Sequence, residues 1–261
     1  MALERKVALV TGSGRGIGKG IAHAFAKAGY DVCVNYYRSA EQAEEVVQQL
    51  LGYGVRAEAV QANIADLDNV ASLIEQVESR FGRLDVLVNN SGITRMKPFL
   101  ETTPELFDEV VHTDFRGLYF CSQHAGRLMV KQGTRGVIIH ISSNHAEGNW
   151  SNSTVYAASK AAVNKLAKNM ALDLAPHGIR VVGIAPGYTK NSWTSDGNER
   201  VQKAIENISS RIPMGRFCTP EEVGEAAVFL ASDSAGYMTG TTIYMDGGAL
   251  LPVWAEKGKD G

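Results

Sequence analysis

Short apolar runs alternate with longer amphipathic segments along almost the whole chain. Seven runs have the length and composition of buried strands, at 7–10, 31–36, 56–62, 84–90, 136–142, 180–186 and 242–246. Between them, apolar residues recur at helical spacing, most clearly in 18–29, 39–54, 68–82 and 157–178. This alternation predicts a doubly wound parallel sheet of about seven strands with helices on both faces. No linker or repeat divides the sequence, so we expect a single α/β domain over 1–261.

Composition argues against several classes of partner. The 261 residues are 44% hydrophobic, which is enough for one sizeable core, and the net charge is −2. Without a basic field, neither nucleic acid nor a membrane surface is an expected partner. The first apolar run has four residues, too few for a signal peptide or a membrane span, so we expect a cytoplasmic protein. The three cysteines and six histidines lack the spacing of metal ligands, which predicts no metal site.

The longest stretch without a clear period is 188–218, after the sixth strand. Ligands of parallel α/β sheets bind beyond the carboxyl ends of the strands. An irregular segment in this position is therefore expected to form a mobile lid over a substrate.

A glycine-rich segment, TGSGRGIG at 11–18, follows the first strand and opens a helix. Two of its glycines permit a tight turn and a close approach of the backbone to a phosphate, and a third lets the helix pack on the strand. The helix N-terminus adds N–H donors and a positive dipole end. A glycine-rich turn alone could be an ordinary turn, but inside a βαβ unit it predicts a dinucleotide site. The candidate residues are Gly12, Gly14, Arg15, Gly16, Ile17 and Gly18.

The end of the second strand bears on the choice of cofactor. A carboxylate there would hold the ribose of NAD, whereas an arginine accommodates the additional phosphate of NADP. The sequence has no carboxylate at 35–39 but places Tyr37 and Arg38 there, with Arg15 nearby in the glycine turn. We therefore expect NADP(H) as the preferred cofactor, with NAD(H) as the other cofactor that the site could accept. The alternative is that Arg38 is simply a solvated residue at the start of a helix.

Six short motifs follow one another in the chain: TGxxxGxG at 11–18, NNSG at 89–92, Ser143 thirteen residues before Tyr156, YxxxK at 156–160, PG at 186–187 and DGG at 246–248. Together they resemble the short-chain dehydrogenase/reductase family over about residues 5–248. The resemblance implies a single-domain Rossmann fold and hydride transfer between a nicotinamide cofactor and a carbonyl or secondary alcohol. It also implies that Tyr156 donates or accepts the proton, that Lys160 binds the nicotinamide ribose, and that Ser143 orients the substrate oxygen.

The spacing of Tyr156 and Lys160 also has a chemical reason of its own. A helix places residues four apart on one face, and an ammonium beside a phenol favours the phenolate. The phenol can then act as a general acid or base. Ser143 would donate a hydrogen bond to the substrate oxygen and stabilise the charge that develops there. The alternative is a tyrosine and a lysine that merely flank a helix interface of small residues.

The resemblance extends to further cofactor contacts. It implies that Asn90 and Gly92 line the adenosine side, although Ser91 stands where the family more often has alanine. Asn63, with Ile64 beside it, occupies the place of an aspartate that contacts adenine. Toward the nicotinamide, the implied residues are Pro186, Gly187 and Thr189.

One position departs from the family pattern. The helix after NNSG usually carries an asparagine that holds a proton-relay water, whereas HTDFRG places Asp114 there. A carboxylate can still accept from water and from a backbone N–H, but it adds a charge near Lys160. We expect Asp114 to belong to the catalytic group and Asp114→Asn to retain activity. The alternative is a structural carboxylate within the helix.

The substrate is open between two classes within the family. NYYRS at 35–39 and SSNHAEGNW at 142–150 resemble bacterial glucose 1-dehydrogenases, and polar residues such as His145 and Asn149 suit a sugar or polyol. NNSGITR at 89–95 resembles 3-ketoacyl-carrier-protein reductases, although Leu172 replaces a second arginine for the acidic carrier. We expect a sugar or polyol, with a 3-ketoacyl or ketosteroid as the alternative. His145 could equally be a structural residue.

A different class of function also remains, a cofactor-sensing or scaffold protein that keeps the fold without the chemistry. The presence of Ser143, Tyr156 and Lys160 argues against it. Family members are usually homotetramers, so the resemblance implies interfaces formed by the helix that bears Tyr156 and by 221–233. Intramolecular packing would give the same apolar pattern.

Overall fold

The computed structural model describes residues 5–191, 194 and 198–251. Its sheet has seven parallel strands in the order β3-β2-β1-β4-β5-β6-β7. The strands are β1 Val7–Val10, β2 Asp31–Tyr36, β3 Ala57–Gln61, β4 Val86–Asn89, β5 Val137–Ile141, β6 Arg180–Pro186 and β7 Thr242–Met245. The predicted Rossmann fold with about seven strands in one domain is confirmed.

Eight α-helices lie in the described part of the chain. They are α1 Gly16–Lys27, α2 Ala40–Leu51, α3 Leu67–Phe81, α4 Pro104–Val111, α5 Leu118–Gln132, α6 Thr154–Leu174, α7 Glu199–Ser209 and α8 Pro220–Ala231. A π-helical turn, His112–Gly117, joins α4 to α5. No helix among these residues is long and apolar enough to cross a membrane.

The core consists of two layers because successive strand side chains point to opposite faces of the sheet. In β1, Ala8 and Val10 pack in one cluster with apolar residues of α1, α2 and α8. Val7 and Leu9 pack in the other cluster, with α3, α5 and α6. Both faces are therefore covered, as the continuous apolar strands predict.

Strand order reverses between β1 and β4, which places the loops after these two strands side by side. The first βα turn follows β1 and NNSG follows β4, so both predicted cofactor segments meet at this switch point. The loops after β5 and β6 lie next to them at the same edge of the sheet.

The interpretation of 188–218 as irregular is wrong in part, because α7 lies inside it. Its sequence, ERVQKAIENIS, has apolar residues at helical spacing, and Asn198 caps its N-terminus by accepting from the Arg200 N–H at 2.9 Å. The polar residues before the helix obscured this period. Residues 192–193 and 195–197 of the predicted lid lie outside the described residues.

Candidate active site

The glycine turn after β1 adopts a backbone that favours glycine. Gly12 and Gly16 have φ angles of 63° and 56°, which side chains rarely tolerate. A Cβ at Gly18 would lie 2.5 Å from the Asn90 side-chain nitrogen and 2.9 Å from the Cα of Ser13, so only glycine fits at the base of α1.

The loop after β4 is tied directly to this turn. The N–H of Asn90 donates to Thr11 Oγ1 at 2.9 Å, and the Asn90 amide donates to the Thr11 carbonyl at 2.9 Å and to the Gly12 carbonyl at 3.2 Å. Asn90 therefore fixes the turn, in addition to its predicted place on the adenosine side of the cofactor.

A side chain that the sequence analysis did not identify holds the turn from the other side. Asn35 is buried at the end of β2, and its Oδ1 accepts the Gly12 N–H at 3.1 Å. Its Nδ2 donates to the carbonyls of Val60 and Ala62, both at 3.2 Å. A polar residue inside an otherwise apolar strand was the available signal, because a buried amide needs hydrogen-bond partners.

The start of α1 fits a dinucleotide phosphate. The helix begins at Gly16 after Arg15, whose side chain makes no capping hydrogen bond. The first-turn N–H groups therefore lack a side-chain acceptor, and a Cβ placed on Gly16 would meet nothing within 4 Å. Open space in front of uncapped helix donors is the arrangement that binds an anion.

Tyr37 and Arg38 follow β2 at the same edge. The Arg38 guanidinium lies 5.0 Å from the centre of the Tyr37 ring, and Tyr37 is 48% exposed. Arg38 forms no salt bridge with any residue that the structure describes, so its charge is available to a ligand.

Asn63 and Ile64 follow β3. Asn63 lines a hollow of about 510 Å³ together with Asp66 and Arg116, and Ile64 is buried. The Asn63 Oδ1 accepts the Ala65 N–H at 3.1 Å, so its amide oxygen is already engaged in the loop.

Three predicted residues, Ser143, Tyr156 and Lys160, line one cavity of about 770 Å³ beyond β4, β5 and β6. Ser143 follows β5 directly, and its Oγ accepts the His145 N–H at 3.2 Å. Tyr156 and Lys160 lie on successive turns of α6, with Lys160 Nζ 5.5 Å from the centre of the Tyr156 ring. Gly92, Pro186, Gly187 and Thr189 line the same cavity, and Ile17 connects it with the glycine turn.

Asp114 lies directly against Lys160. It is fully buried in the π-helical turn, where its Oδ1 accepts the Ile93 N–H at 2.8 Å. Its Oδ2 lies 3.2 Å from Lys160 Nζ, which also donates to the Ile141 carbonyl at 3.2 Å. Gly92 covers the pair, since a Cβ there would lie 3.1 Å from Oδ2 and 3.3 Å from Nζ. The carboxylate of Asp114, which was expected near Lys160, therefore forms an ion pair with Lys160 in direct contact.

Burial and the carboxylate act in opposite directions on Lys160. Burial disfavours the ammonium and is the largest effect, but Asp114 and Tyr156 together outweigh it and raise the pKa of Lys160 above its usual value of 10.5. Beneath the site, burial and the charge of Lys160 lower the pKa of His140 to about 3. His140 is therefore a neutral partner of Asn89, whose Nδ2 lies 3.2 Å from its Nδ1.

The site therefore combines a glycine turn at the switch point of the sheet with a cavity that Ser143, Tyr156 and Lys160 line together. The family model described as "Enoyl-(Acyl carrier protein) reductase" matches residues 12–249. The chain belongs to the short-chain dehydrogenase/reductase family.

Similar proteins cover nearly the whole of this short-chain dehydrogenase/reductase. The 3-oxoacyl-(acyl-carrier-protein) reductase of Staphylococcus aureus is 42% identical over 247 residues, covering 94% of this chain and 98% of that protein. A putative short-chain alcohol dehydrogenase from Sinorhizobium meliloti superposes with a TM-score of 0.89 at 35% identity, covering 96% and 98% of the two chains. The acetoin dehydrogenase from Enterobacter cloacae gives 0.89 at 34% identity, covering 98% and 100%.

The loop after Ser143 contributes less polar surface to this enzyme's cavity than the sequence suggested. His145 lines the cavity, whereas Asn149 is exposed and lies outside the lining, so Asn149 stays a prediction as a substrate residue. Glu147 accepts from the Tyr244 hydroxyl at 3.1 Å and thereby ties the loop to β7. A Cβ on Gly148 would lie 2.5 Å from Trp150 Cζ3, so the loop packs closely against the Trp150 ring at this position.

The cavity also has an apolar side that was not predicted from the sequence. Met96, Tyr188, Ile208 and Phe217 line it, and the last three belong to the predicted lid region that follows β6. These four residues belong to separate loops and to α7, so their convergence depends on the tertiary structure and leaves no local pattern in the sequence.

Proposed function

We propose that this protein is an NADP(H)-dependent oxidoreductase that transfers a hydride between the nicotinamide and a carbonyl or secondary alcohol. The observation that carries the proposal is the convergence of Ser143, Tyr156 and Lys160 on one cavity at the carboxyl edge of the sheet. These are groups that hold and move a proton at a substrate oxygen.

Each residue has a separate role in the proposed reaction. The nicotinamide, when bound, donates or accepts the hydride. Ser143 donates a hydrogen bond to the substrate oxygen, and Tyr156 gives a proton to that oxygen during reduction or takes one during oxidation. Lys160 keeps a positive charge beside Tyr156 and binds the ribose. Asp114 holds Lys160 in place through the 3.2 Å contact.

The chain's own residues also suggest where the cofactor lies. The uncapped start of α1 would hold the pyrophosphate, and Asn90 and Gly92 would line the adenosine side. Arg38, supported by Arg15, would bind the 2′-phosphate of NADP(H), because a guanidinium pairs with phosphate oxygens in two hydrogen bonds. Asn63 and Ile64 would contact adenine.

We propose a sugar or polyol as the substrate. His145 places an imidazole in the cavity beside Ser143, and a hydroxylated substrate gives such a buried polar group a partner. The resemblance to an acetoin dehydrogenase fits a small oxygen-rich substrate. Residues 188–218, with Ile208 and Phe217 on the cavity wall, are proposed to close over it.

A second candidate is reduction of a 3-ketoacyl thioester, which the 42% identical Staphylococcus aureus reductase favours. Arg127 is exposed on α5 and could meet an acidic carrier, but Leu172 on α6 is an exposed apolar residue instead of a second arginine. This difference weakens carrier docking more than it weakens the chemistry.

We also propose a homotetramer. Exposed apolar residues lie on the helices that the resemblance implies as interfaces, including Leu172 at 75% exposure on α6 and Phe229 at 47% on α8. Contact with a second copy of the chain would remove these apolar side chains from water, which supports interfaces at α6 and α8.

A spectrophotometric screen tests the proposed function. NADPH oxidation and NADP reduction are followed with sugars, polyols, hydroxyketones, ketoacyl thioesters and hydroxysteroids, for the wild type and for Tyr156→Phe. We expect turnover that the substitution reduces by about 10²-fold to 10⁴-fold, the range for loss of a general acid. Absence of turnover with every substrate and both cofactors would instead favour a cofactor-sensing or scaffold protein.

A further inference from the structure

His145 is fixed beside Ser143 by contacts on several sides of its ring. Trp150 stacks on the imidazole with ring centres 4.0 Å apart and planes 16° apart. The Tyr156 ring approaches at 5.3 Å with an interplanar angle of 76°. Trp150 therefore covers one face of the ring, and His145 lines a cavity that Tyr156 and Ser143 also line.

The neighbours of Nδ1 determine where the ring proton lies. Nδ1 is 3.3 Å from the Oδ1 of Asn144, an oxygen that only accepts hydrogen bonds. Burial lowers the pKa of His145 below 6.5, so the ring carries a single proton at neutral pH. We assign this proton to Nδ1, where it can donate to the Asn144 Oδ1, and Nε2 is then left as an acceptor. Nε2 makes no hydrogen bond with any residue that the structure describes.

The same arrangement determines the role of the Ser143 hydroxyl. Its oxygen lies 3.2 Å from the His145 N–H and 3.2 Å from Nδ1, both of which are donors. A hydroxyl has two lone pairs and one hydrogen, so the Ser143 hydrogen remains for a substrate oxygen. The cavity therefore contains a hydrogen-bond donor, the Ser143 hydroxyl, and a hydrogen-bond acceptor, the Nε2 of His145, which the imidazole ring separates from it.

We infer that Nε2 of His145 accepts a hydrogen bond from a hydroxyl on the carbon next to the reacting carbon, so that the substrate is a 2-hydroxyketone or, in oxidation, a vicinal diol. This inference rests on the proposed hydride transfer and specifies its substrate class. A ketone oxygen accepts from Ser143 while the adjacent hydroxyl donates to His145. Sugars and polyols contain the same pair of oxygens. A 3-ketoacyl thioester has a methylene at the adjacent carbon and leaves Nε2 without a partner.

A pair of matched ketones tests the inference. Reduction of 3-hydroxybutan-2-one and of butan-2-one is measured in wild type, His145→Phe, His145→Gln and His145→Asn. Phe keeps an aromatic ring against Trp150 without nitrogen atoms. Gln reaches the place of Nε2, whereas the shorter Asn reaches only the place of Nδ1.

We expect wild-type kcat/KM to favour the hydroxyketone by at least about tenfold, the usual effect of one hydrogen bond with its unpaired partner left behind. The preference should disappear in His145→Phe and His145→Asn and persist in part in His145→Gln. A wild type without the preference, or a His145→Phe enzyme that keeps it, overturns the inference. Equal losses on both ketones overturn it too, because His145 would then act only by positioning Ser143.

The same measurements distinguish failure of this inference from failure of the proposed hydride transfer. Turnover of a ketoacyl thioester without turnover of either ketone overturns the inference and leaves hydride transfer standing. Turnover of no carbonyl compound with either cofactor overturns both.

Discussion

Replacing Asp114 by Asn removes one charge from a buried ion pair and changes little else. Asp114 is fully buried and Lys160 is 4% exposed, so neither charge is screened by water. Asparagine is nearly the same size and keeps an acceptor for the Ile93 N–H. The substitution therefore isolates the electrostatic contribution of the carboxylate.

The distance between the charges determines the magnitude. For Nζ and Oδ2 at 3.2 Å, Coulomb's law at an effective dielectric constant of about 20 gives an attraction of about 5 kcal/mol. Desolvation of both groups offsets part of this, and removal of one partner of a buried pair typically costs about 3 kcal/mol. We expect Asp114→Asn to lower the free energy of unfolding by about 3 kcal/mol at pH 7.

The loss of stability should depend on pH. In the wild type, the pKa of Lys160 is raised above 10.5 despite burial, because Asp114 and Tyr156 oppose the effect of burial. Its contribution to stability is therefore fully present below pH 10.5 and is lost only as pH rises through the folded-state value. Without the carboxylate, burial lowers the folded-state pKa of Lys160 below that of the unfolded chain. The variant then gains stability as pH rises toward 10.5, and the difference from wild type shrinks.

Equilibrium urea unfolding of both proteins at pH 7, 8, 9 and 10 measures this difference. Glu109→Gln is the control, because Glu109 is exposed on α4 and pairs with Arg95 at 2.8 Å. Such a surface pair should contribute less than about 1 kcal/mol, with no trend over this range. The same difference between Asp114→Asn and wild type at pH 7 and pH 10 would refute the reasoning. We also expect Asp114→Asn to remain active, because Lys160 keeps its hydrogen bond to the Ile141 carbonyl at 3.2 Å.

Three further predictions concern the cofactor, acid stability and assembly. Arg38→Gln should raise the KM for NADPH by at least about tenfold and leave that for NADH unchanged, because only the 2′-phosphate meets the guanidinium; equal effects on both cofactors in steady-state kinetics would contradict this. Burial first, and then Lys160, lowers the pKa of His140 to about 3, so stability should be lost as pH falls below about 6.5, by up to about 1.4 kcal/mol per pH unit. Urea unfolding at pH 7 and pH 5 should show a smaller loss of unfolding free energy for His140→Asn than for the wild type. An equal loss in the two proteins would contradict the role of His140. Leu172→Glu should reduce a tetramer to smaller species in light scattering, whereas an unchanged mass would place Leu172 outside the interfaces.

The fold could be predicted because its signals are local and periodic. The second and sixth strands agree residue for residue with the apolar runs at 31–36 and 180–186. Each run is short, rich in β-branched residues and ended by polar or turn-forming residues. These features are enough to recognise a parallel strand that is covered on both faces. The α7 helix was missed because a polar segment precedes it and its apolar stripe is narrow.

The candidate site could be predicted only where its residues share a local pattern. Tyr156 and Lys160 lie one helical turn apart, and their proximity follows from the helix alone. Asp114 was expected to lie near Lys160. Its direct contact with Lys160 involves the π-helical turn, which no pattern of residues in the sequence predicted. The sequence showed the polarity of Asn149 but not the direction of its loop, so its exposure outside the cavity lining could not be predicted.

Asn35 restricts how the cofactor preference of this enzyme could be redesigned. Its side chain spans the Gly12 N–H and the carbonyls of Val60 and Ala62. A carboxylate in its place could accept from Gly12 but would face two carbonyl oxygens without a proton to give them. A change from the proposed NADP(H) preference toward NAD(H) therefore has to be made at Tyr37 and Arg38, where the side chains are free of the turn, while Asn35 is left in place.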